Sequence, residues 1–320
     1  MQNIETKSEQ KDEDRIMELN FGRVEGLPPE EQQWLQELKY IYDYHRSANR
    51  KKRRYYNGKV TLNEVNLGIA LPAGLGKLEI GCAWGAKTVD VLAGRSMFDG
   101  FVTENGTKSE DMDQIMKRNH LIAEYNKAVK EELKYGCAFA AVSGEEDDAR
   151  VRFYSPHCAA ASWNAHEGRI RYGFAFEDAR RDESDVTWSP EHVNFYTDTD
   201  IWELDRIGGT WYATQNPHDF GEPLMVALIW DATNDKPFGQ SRLKEPVRRL
   251  IQGYVRTVAN ATIGLEFATS PQKYLLGVSD EQYDMLIDNK FKQYVGSILY
   301  STNNPETGEK PNFGQLSQGN

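Results

Sequence analysis

The sequence predicts an α+β fold in which helices and an antiparallel sheet are followed by one long helix. Three observations lead to this expectation. Residues 241–268 carry apolar side chains at the three- and four-residue spacing of a helix. Residues 30–54 and 111–135 show the same spacing. Residues 137–214 instead contain short apolar runs separated by turn residues, which is typical of antiparallel strands.

The first 27 residues are polar and acidic, so we expect a flexible tail. Pro28 and Pro29 then predict the start of a helix, because proline is tolerated in a first helical turn. This helix ends in the basic run 50–54, which could contact phosphate. The helix dipole also favours cations at a C-terminus, and we take that as the explanation of the run. The apolar stripe of the helix is Trp34, Leu35, Leu38, Ile41 and Tyr42.

The centre of the chain predicts two more helices and a sheet. Residues 88–98 form a short helix, and residues 111–135 form one continuous helix that Gly136 ends. The charged stretch 178–189 predicts a solvated loop. Strands are expected at residues 137–142, 151–154, 169–177, 193–197, 201–205 and 210–214. Tryptophans at strand spacing predict sheet core rather than base-stacking platforms, and they are Trp163, Trp188, Trp202, Trp211 and Trp230.

The long helix dominates the C-terminal part of the chain. Roughly 28 residues at about 1.5 Å each give a rod of about 42 Å. Ser241 is the expected N-cap, and Pro246 is expected to kink the helix or to delay its start. The apolar side is Leu243, Val247, Leu250, Ile251, Tyr254, Val258, Ala261, Leu265 and Ala268. Because Leu250 belongs to this set, Leu250→Asp is expected to cost several kcal/mol.

A second side of the long helix is basic. Lys244, Arg248, Gln252 and Arg256 follow one another at four-residue spacing, and no acidic residue lies between Glu245 and Glu266. We expect something anionic opposite this side. The sequence leaves two possibilities open, which are acidic residues of an adjacent subunit or helix and the backbone of DNA.

Beyond the long helix, the pattern is shorter and more broken. Residues 272–277 predict a strand, residues 279–292 a helix and residues 294–300 another strand. Residues 312–316 could pair back on this region.

The composition excludes several classes of protein. The net charge of −11 argues against tight nucleic-acid binding, because affinity for phosphates depends largely on Lys and Arg contacts. An acidic wall would still suit a channel past which DNA must slide. Three scattered cysteines indicate free thiols rather than a disulfide framework or a zinc knuckle. The sequence shows neither a signal peptide nor an apolar stretch of the roughly 18 residues that a membrane span needs.

No enzymatic site is predicted. The glycine-rich stretch 74–81 lacks the Ser or Thr that follows the lysine of a phosphate loop. Ser241 lacks the second glycine of a nucleophile elbow. His157 and Cys158 are adjacent, and adjacent residues seldom ligate one metal together. We therefore expect no enzyme activity, no catalytic residue, no metal and no cofactor.

A set of short motifs points to one family. The stretch that starts PFGQSRL at Pro237 continues as the long helix and ends in SPQKYLLG at residues 270–277. Upstream motifs are YYNG at 55–58, LGIALP at 67–72, Asn119 with Leu121, YGCAF at 135–139 and YSP at 154–156. In this order they resemble the portal proteins of tailed bacteriophages, of the SPP1-like portal family. The resemblance covers about residues 55–318.

The resemblance implies a portal-type architecture. After the acidic tail of residues 1–27, residues 28–236 correspond to a wing of helices and antiparallel sheet. Residues 237–270 correspond to the first stem helix and residues 271–320 to an incomplete small α/β clip. The second stem helix, the tunnel loop and the crown are not in this sequence, so we expect a chain that is truncated at its C-terminus.

The resemblance also implies a function. Such a chain is a head-tail connector subunit that forms a ring with itself, usually a dodecamer, at one capsid vertex. Double-stranded DNA passes through the ring during packaging and ejection without being tightly bound. The implied partners are the terminase large subunit, head-completion or adaptor proteins, and the major capsid or scaffolding protein. The protein would be made in the host bacterial cytoplasm and reside in the virion.

Two sets of residues are expected to carry this function. Lys244, Arg248, Gln252 and Arg256 would face the DNA channel or a neighbouring subunit. Gln272, Lys273 and Tyr274 would form the part of the clip that docks a partner.

Two alternatives remain from the sequence. One is a prophage-derived structural adaptor without a packaging role. The other is a nucleotide- or metal-dependent enzyme.

Overall fold

A computed structural model describes residues 16–17, 19–61, 79–102, 105–106, 110–144, 149–177, 179–181, 187–269, 273–276, 308 and 312–315. The chain divides into two compact units. The first unit contains residues 1–60 and 81–251, and the second contains residues 61–80 and 252–320. The boundary between residues 251 and 252 falls inside the long helix.

The helices of the described residues are α1 (Pro29–Tyr56), α2 (Trp84–Ala93), α3 (Glu110–Arg118), α4 (Leu121–Tyr135) and α5 (Glu245–Thr269). Within the described ranges, no helix has the length and apolar character that crossing a membrane requires.

Most strands lie in the first unit. In chain order the strands are β1 (Ile16–Met17), β2 (Val24–Glu25), β3 (Val60–Thr61), β4 (Glu79–Ile80), β5 (Cys137–Ser143), β6 (Arg150–Tyr154), β7 (Ala159–Asn164), β8 (Arg169–Phe176), β9 (Ala179–Arg181), β10 (Thr187–Pro190), β11 (His192–Tyr196), β12 (Asp200–Ile207), β13 (Thr210–Pro217), β14 (Met225–Ile229), β15 (Lys273–Leu276) and β16 (Asn312–Gln315).

A six-stranded sheet in the order β2-β13-β12-β11-β8-β7 is the centre of the first unit. It is antiparallel except for β2, which runs parallel to β13. Helix α1 covers one face of this sheet, where Leu35, Leu38 and Tyr42 join a buried cluster with Phe174 and Phe195. The predicted apolar stripe of α1 is therefore confirmed. Its first residue, Pro29, follows an extended Pro28, as the two prolines predicted.

The opposite face of the six-stranded sheet packs against a three-stranded sheet in the order β14-β5-β6. Successive residues of β8 and β11 alternate between the two faces, so that Ala175 and Tyr196 point toward Phe139 and Met225. Helix α4 packs against β5. Trp202 and Trp211 are buried in the core, as their strand spacing predicted. The mixed α+β class and the mostly antiparallel pairing are confirmed.

The predicted flexible tail is wrong for its last part. Leu19, Phe21 and Val24 are buried, and β2 adds an edge strand to the main sheet. Phe21 packs against Phe174 and Trp211 with ring centroids 5.7 and 5.5 Å apart. The spacing of these three apolar side chains matches neither a helix nor a strand, so the sequence pattern predicts no regular structure there.

The single helix predicted for residues 111–135 is wrong as well, because α3 ends at Arg118 and α4 starts at Leu121. His120 adopts a left-handed φ of 50° between them. Asn119 accounts for the break, since its amide donates to the carbonyls of Ile115 and Ala149 and accepts from the Val151 N–H. These side-chain bonds compete with continued helix formation, so α3 ends here, and they attach the turn at Asn119 to the start of β6. The end of α4 at Gly136 is confirmed, with a φ of 111°.

The strand predictions were partly right. All six predicted strands exist within a few residues of their expected ends. The loop predicted at 178–189 is wrong at both ends, because Ala179–Arg181 and Thr187–Pro190 pair as antiparallel strands. Strands β7 and β14 were missed. The short helix expected at 88–98 instead spans Trp84–Ala93, with Val89 buried as predicted.

The second unit contains a pair of antiparallel strands in the described part of the chain. Lys273 lies opposite Gln315, and Leu276 lies opposite Asn312. The predicted strand at 272–277 is thus confirmed, and residues 312–315 pair back with β15, a partner that the sequence did not specify. The helix and strand expected at 279–292 and 294–300 lie outside the described residues.

Three segments of the first unit meet at one backbone junction just before α5. The carbonyl of Gly136, at the end of α4, accepts from the N–H of Trp230, at 2.9 Å. The Trp230 carbonyl accepts from the N–H of Gln240, also at 2.9 Å. Gly239 lies between them with a φ of +73°. A Cβ on Gly239 would lie 2.2 Å from the Trp230 oxygen and 2.7 Å from the Gly136 oxygen.

We expect Gly239→Ala to lower the free energy of unfolding by more than about 2 kcal/mol, because the added methyl overlaps backbone atoms at a left-handed φ. Gly253→Ala in α5 is the matched control, since nothing lies within 4 Å of a Cβ there. The control should raise stability by about 0.5–1 kcal/mol, as alanine is the better helix former. Urea unfolding of both variants measures this, and equal stabilities would contradict the tight junction.

Candidate functional site

The long helix starts later than its first candidate cap. It begins at Glu245 rather than near Ser241, so Pro246 falls in the first turn, where its missing N–H costs nothing. The delayed start that Pro246 predicted is therefore confirmed. Ser241 is not the N-cap. It is buried, its hydroxyl donates to the Lys134 carbonyl at 2.5 Å, and the same oxygen accepts from the Leu243 N–H.

The residues around Ser241 anchor the start of α5 to α4 and α2. The Arg242 N–H donates to the carbonyl of Leu133 at 2.9 Å. The Arg242 guanidinium donates to the carbonyl of Thr88 at 3.2 Å and lies over the Trp230 ring. The motif PFGQSRL, which contributed to the family resemblance, is thus the segment that fixes where α5 begins.

The buried side of α5 differs from the predicted one, since it includes Val255 and Ala259, which the predicted apolar set lacked. Ile251, Val255 and Ala259 are buried at four-residue spacing. Leu250 and Leu265, which were assigned to the same side, are 66% and 65% exposed. Adjacent residues on a helix point about 100° apart, so Ile251 and Leu250 cannot share one buried stripe of this width. The predicted burial of Leu250 is wrong for the single chain.

A second side of α5 is exposed and uncharged. Leu250, Gly253, Thr257, Ala261 and Gly264 follow one another at three- and four-residue spacing, and all five are exposed. The Thr257 hydroxyl donates to the Gly253 carbonyl, which satisfies its polar group within the helix. We call these five residues the uncharged face. Small residues at this spacing allow another helix or backbone to approach closely.

The third side of α5 is the predicted basic face, and the first two of its residues meet acids of the same chain. Lys244 precedes the helix and donates to Asp231 at 2.5 Å. Arg248 pairs with Glu245 at 3.0 Å. Arg249, one position on, also hydrogen-bonds Glu245, at 3.1 Å. The hydrogen bond from Arg249 and the charge of Arg248 lower the pKa of Glu245.

The other predicted site residues are placed as follows. Gln252 is half-buried and Arg256 is exposed, one and two turns beyond Arg248. Lys273 and Tyr274 lie in β15, whereas Gln272 is outside the described residues. The assignment of these residues to DNA, a neighbouring subunit or a docking partner stays a prediction.

One notable residue in the basic run of α1 was not predicted from the sequence. Lys52 turns toward the protein interior, and its ammonium donates to the Tyr135 carbonyl at 2.8 Å. Burial lowers the pKa of Lys52, and the nearby Arg248 lowers it further. A run of five cations gives no signal that distinguishes the half-buried one that bonds the Tyr135 carbonyl.

Among the described residues, no group of three or more His, Cys, Asp or Glu side chains could hold a metal ion. Cys82, Cys137 and Cys158 are free thiols. Burial raises the pKa of Cys137 to about 12 and that of Cys158 to about 11. Both thiols are therefore protonated, and neither is a nucleophile near neutral pH.

The neighbours Leu250 and Ile251 provide a test of how α5 is oriented. We expect Ile251→Asp to cost about 3–5 kcal/mol of unfolding free energy, because it places an unpaired carboxylate in the interior. Leu250→Asp should cost less than about 1 kcal/mol in the dilute single chain, because the side chain is exposed. Urea unfolding compares the two variants, and an equal loss in both would show that the helix is rotated from this orientation.

Comparisons with known proteins show which protein family the chain matches. The model of the family described as "Phage portal protein, SPP1 Gp6-like" matches residues 35–228. No curated protein matches the chain. A chain of the solved structure described as "Neck of empty GTA particle computed with C6 symmetry" has a TM-score of 0.36 and 11% sequence identity. That similarity covers 74% of this chain and 59% of the other chain.

The family match spans most of the first unit, from α1 through the six-stranded sheet to β14. It includes more than half of the 320 residues. On this match, the chain belongs to the SPP1 Gp6-like family of phage portal proteins.

Proposed function

We propose that the chain is a structural subunit of a ring at one vertex of a phage capsid, the conduit for DNA packaging and ejection. The observation that carries this proposal is the family match over residues 35–228. The uncharged face of α5 supports it, because a helix side that is exposed and uncharged in a single chain can be covered by a second copy in a ring. No catalytic role is proposed, and the protein would reside in the virion after synthesis in the host cytoplasm.

Within this proposal, residues 28–236 form the wing, residues 237–270 the first stem helix and residues 271–320 part of the clip. The ring would be a dodecamer, the usual number for the family. The clip strand β15, with Lys273 and Tyr274, would contribute to docking the terminase large subunit and later the head-completion proteins. The wing would face the major capsid or scaffolding protein.

The charge distribution supports a passive channel for DNA rather than a tight clamp. The chain carries a net charge of −11. The acids Asp231 and Glu245 already pair with Lys244, Arg248 and Arg249. A wall whose cations are paired releases few counterions when a phosphate approaches, so it holds DNA weakly.

Electron microscopy of the purified product of the complete reading frame tests this proposal. We expect rings with a central channel wide enough for duplex DNA. Compact monomers at high protein concentration would contradict it and would favour a structural adaptor without a packaging role.

A charge reversal at Arg256 tests whether the basic face of α5 has a function. We expect Arg256→Glu to impair ring assembly or DNA packaging, because it reverses a charge on the exposed side of α5, while the unfolding free energy of the single chain changes by less than about 1 kcal/mol. Arg23→Glu is the control, since the Arg23 side chain is 87% exposed and lies outside α5. Particle counts by microscopy and packaged DNA measure the effect. Parent-like assembly and packaging would contradict a functional role for this face.

A further inference from the structure

A cavity of about 140 Å³ lies in the first unit where α1, the end of α4 and strands β5 and β7 meet. Its wall is mainly apolar and includes Ile41, Phe139 and Phe238. The polar side chains in this wall include Asn49 and Lys52, one turn apart on α1. His45, a turn earlier, is exposed and also lines the cavity, so the cavity reaches the surface there.

The Lys52 ammonium is incompletely paired in this cavity. Its Nζ donates to the Tyr135 carbonyl at 2.8 Å and to Asn49 Oδ1 at 3.4 Å. An ammonium has three donors, so one is left over. Within the part of the chain that the structure describes, no carboxylate forms an ion pair with Lys52.

The other groups near Lys52 do not supply a negative charge. The Cys137 thiol is fully buried, and its pKa of about 12 keeps it neutral. Arg248 is a second cation near Lys52, and its Nε is buried without a hydrogen-bond partner. A buried cation is costly unless a counter-ion and hydrogen bonds satisfy it. Arg248 pairs with Glu245 at 3.0 Å, whereas Lys52 contacts only the neutral acceptors of Tyr135 and Asn49, so Lys52 is the cation that favours an anion.

The apolar lining of the cavity limits which kinds of anion it can bind. Apolar walls around a single ammonium suit a short alkyl stem that carries one carboxylate, which is the chemistry of an Asp or Glu side chain. The chain itself is an abundant source, since it has 49 acidic residues against 38 Lys and Arg. A second copy therefore offers the complementary charge at high local concentration in a ring.

We propose that this cavity receives the carboxylate of an Asp or Glu side chain from a second copy of the chain, which pairs with Lys52. The ion pair is part of the contact between neighbouring subunits, and this assignment of the occupant rests on the proposed ring. In the single chain the site is incomplete, because the half-buried Lys52 ammonium has no counter-ion there.

Charge removal at Lys52 tests the proposal, with Lys51 as the matched control. Lys52→Gln removes the charge and keeps a donor for the Tyr135 carbonyl. Lys51→Gln makes the same change at the neighbouring, exposed position. Lys52→Met is a second variant for the case in which Lys52→Gln does not fold, and circular dichroism verifies folding. Mass photometry over a range of protein concentrations measures association.

We expect Lys52→Gln and Lys52→Met to weaken association at least tenfold, whereas Lys51→Gln associates like the parent. Parent-like association of a folded Lys52 variant would overturn the proposal. So would an equal loss in Lys51→Gln, because the effect would then reflect surface charge rather than the cavity.

Sodium acetate, compared with sodium chloride at the same ionic strength, tests the carboxylate chemistry without a ring. We expect acetate to raise the Tm of the parent and not that of Lys52→Gln. No acetate shift in the parent would overturn the carboxylate pocket. If the parent forms no oligomer, the proposed function fails and the second copy is excluded as occupant, while a Lys52-dependent acetate shift would still support the pocket.

Discussion

The rest of the structure depends on the backbone junction between Gly136, Trp230 and Gln240. Two hydrogen bonds of 2.9 Å join the end of α4 to the end of β14, and β14 to the segment that leads into α5. The junction closes only because Gly239 has no side chain, since a Cβ would overlap two carbonyl oxygens. Ser241 and Arg242 then bond the carbonyls of Lys134 and Leu133. The start of the long helix is thereby fixed to the packed part of the chain by backbone geometry rather than by a flexible linker.

The sides of α5 differ in what covers them. The buried side comprises Ile251, Val255 and Ala259, and the ion pairs of Glu245 with Arg248 and Arg249 occupy the first turns of another. The uncharged face of Leu250, Gly253, Thr257, Ala261 and Gly264 is left exposed. A Leu and four small residues in water gain stability when they pack against another surface. In the same way, the Lys52 ammonium, which donates to Tyr135 and Asn49 but has no counter-ion, is stabilised when an acid reaches it. Both features fit a subunit whose contacts are completed by assembly.

The sequence predicted correctly those helices and strands whose pattern depends only on residues close together in the chain. The prolines before α1 and its apolar stripe predicted that helix, and the short apolar run at 272–277 predicted strand β15. The break at Asn119 could not be predicted, because it depends on bonds to Ala149 and Val151, which lie 30 and 32 residues away. Leu250 was misassigned because Leu250 and Ile251 are both apolar, and only packing shows which is covered. Among the predicted site residues, Lys244 and Arg248 meet acids of the same chain, and Asp231, which pairs with Lys244, comes from a distant turn. Nothing in a run of five cations marks Lys52 as the one that bonds the Tyr135 carbonyl and lines the cavity.

A cryo-electron microscopy map of the assembled protein at side-chain resolution tests the central claim most directly. That claim is that assembly covers the uncharged face of α5. The account predicts that Leu250, Gly253 and Thr257 lie against a neighbouring copy in a closed ring. A ring in which these residues face solvent, with subunits joined through other surfaces, would contradict it.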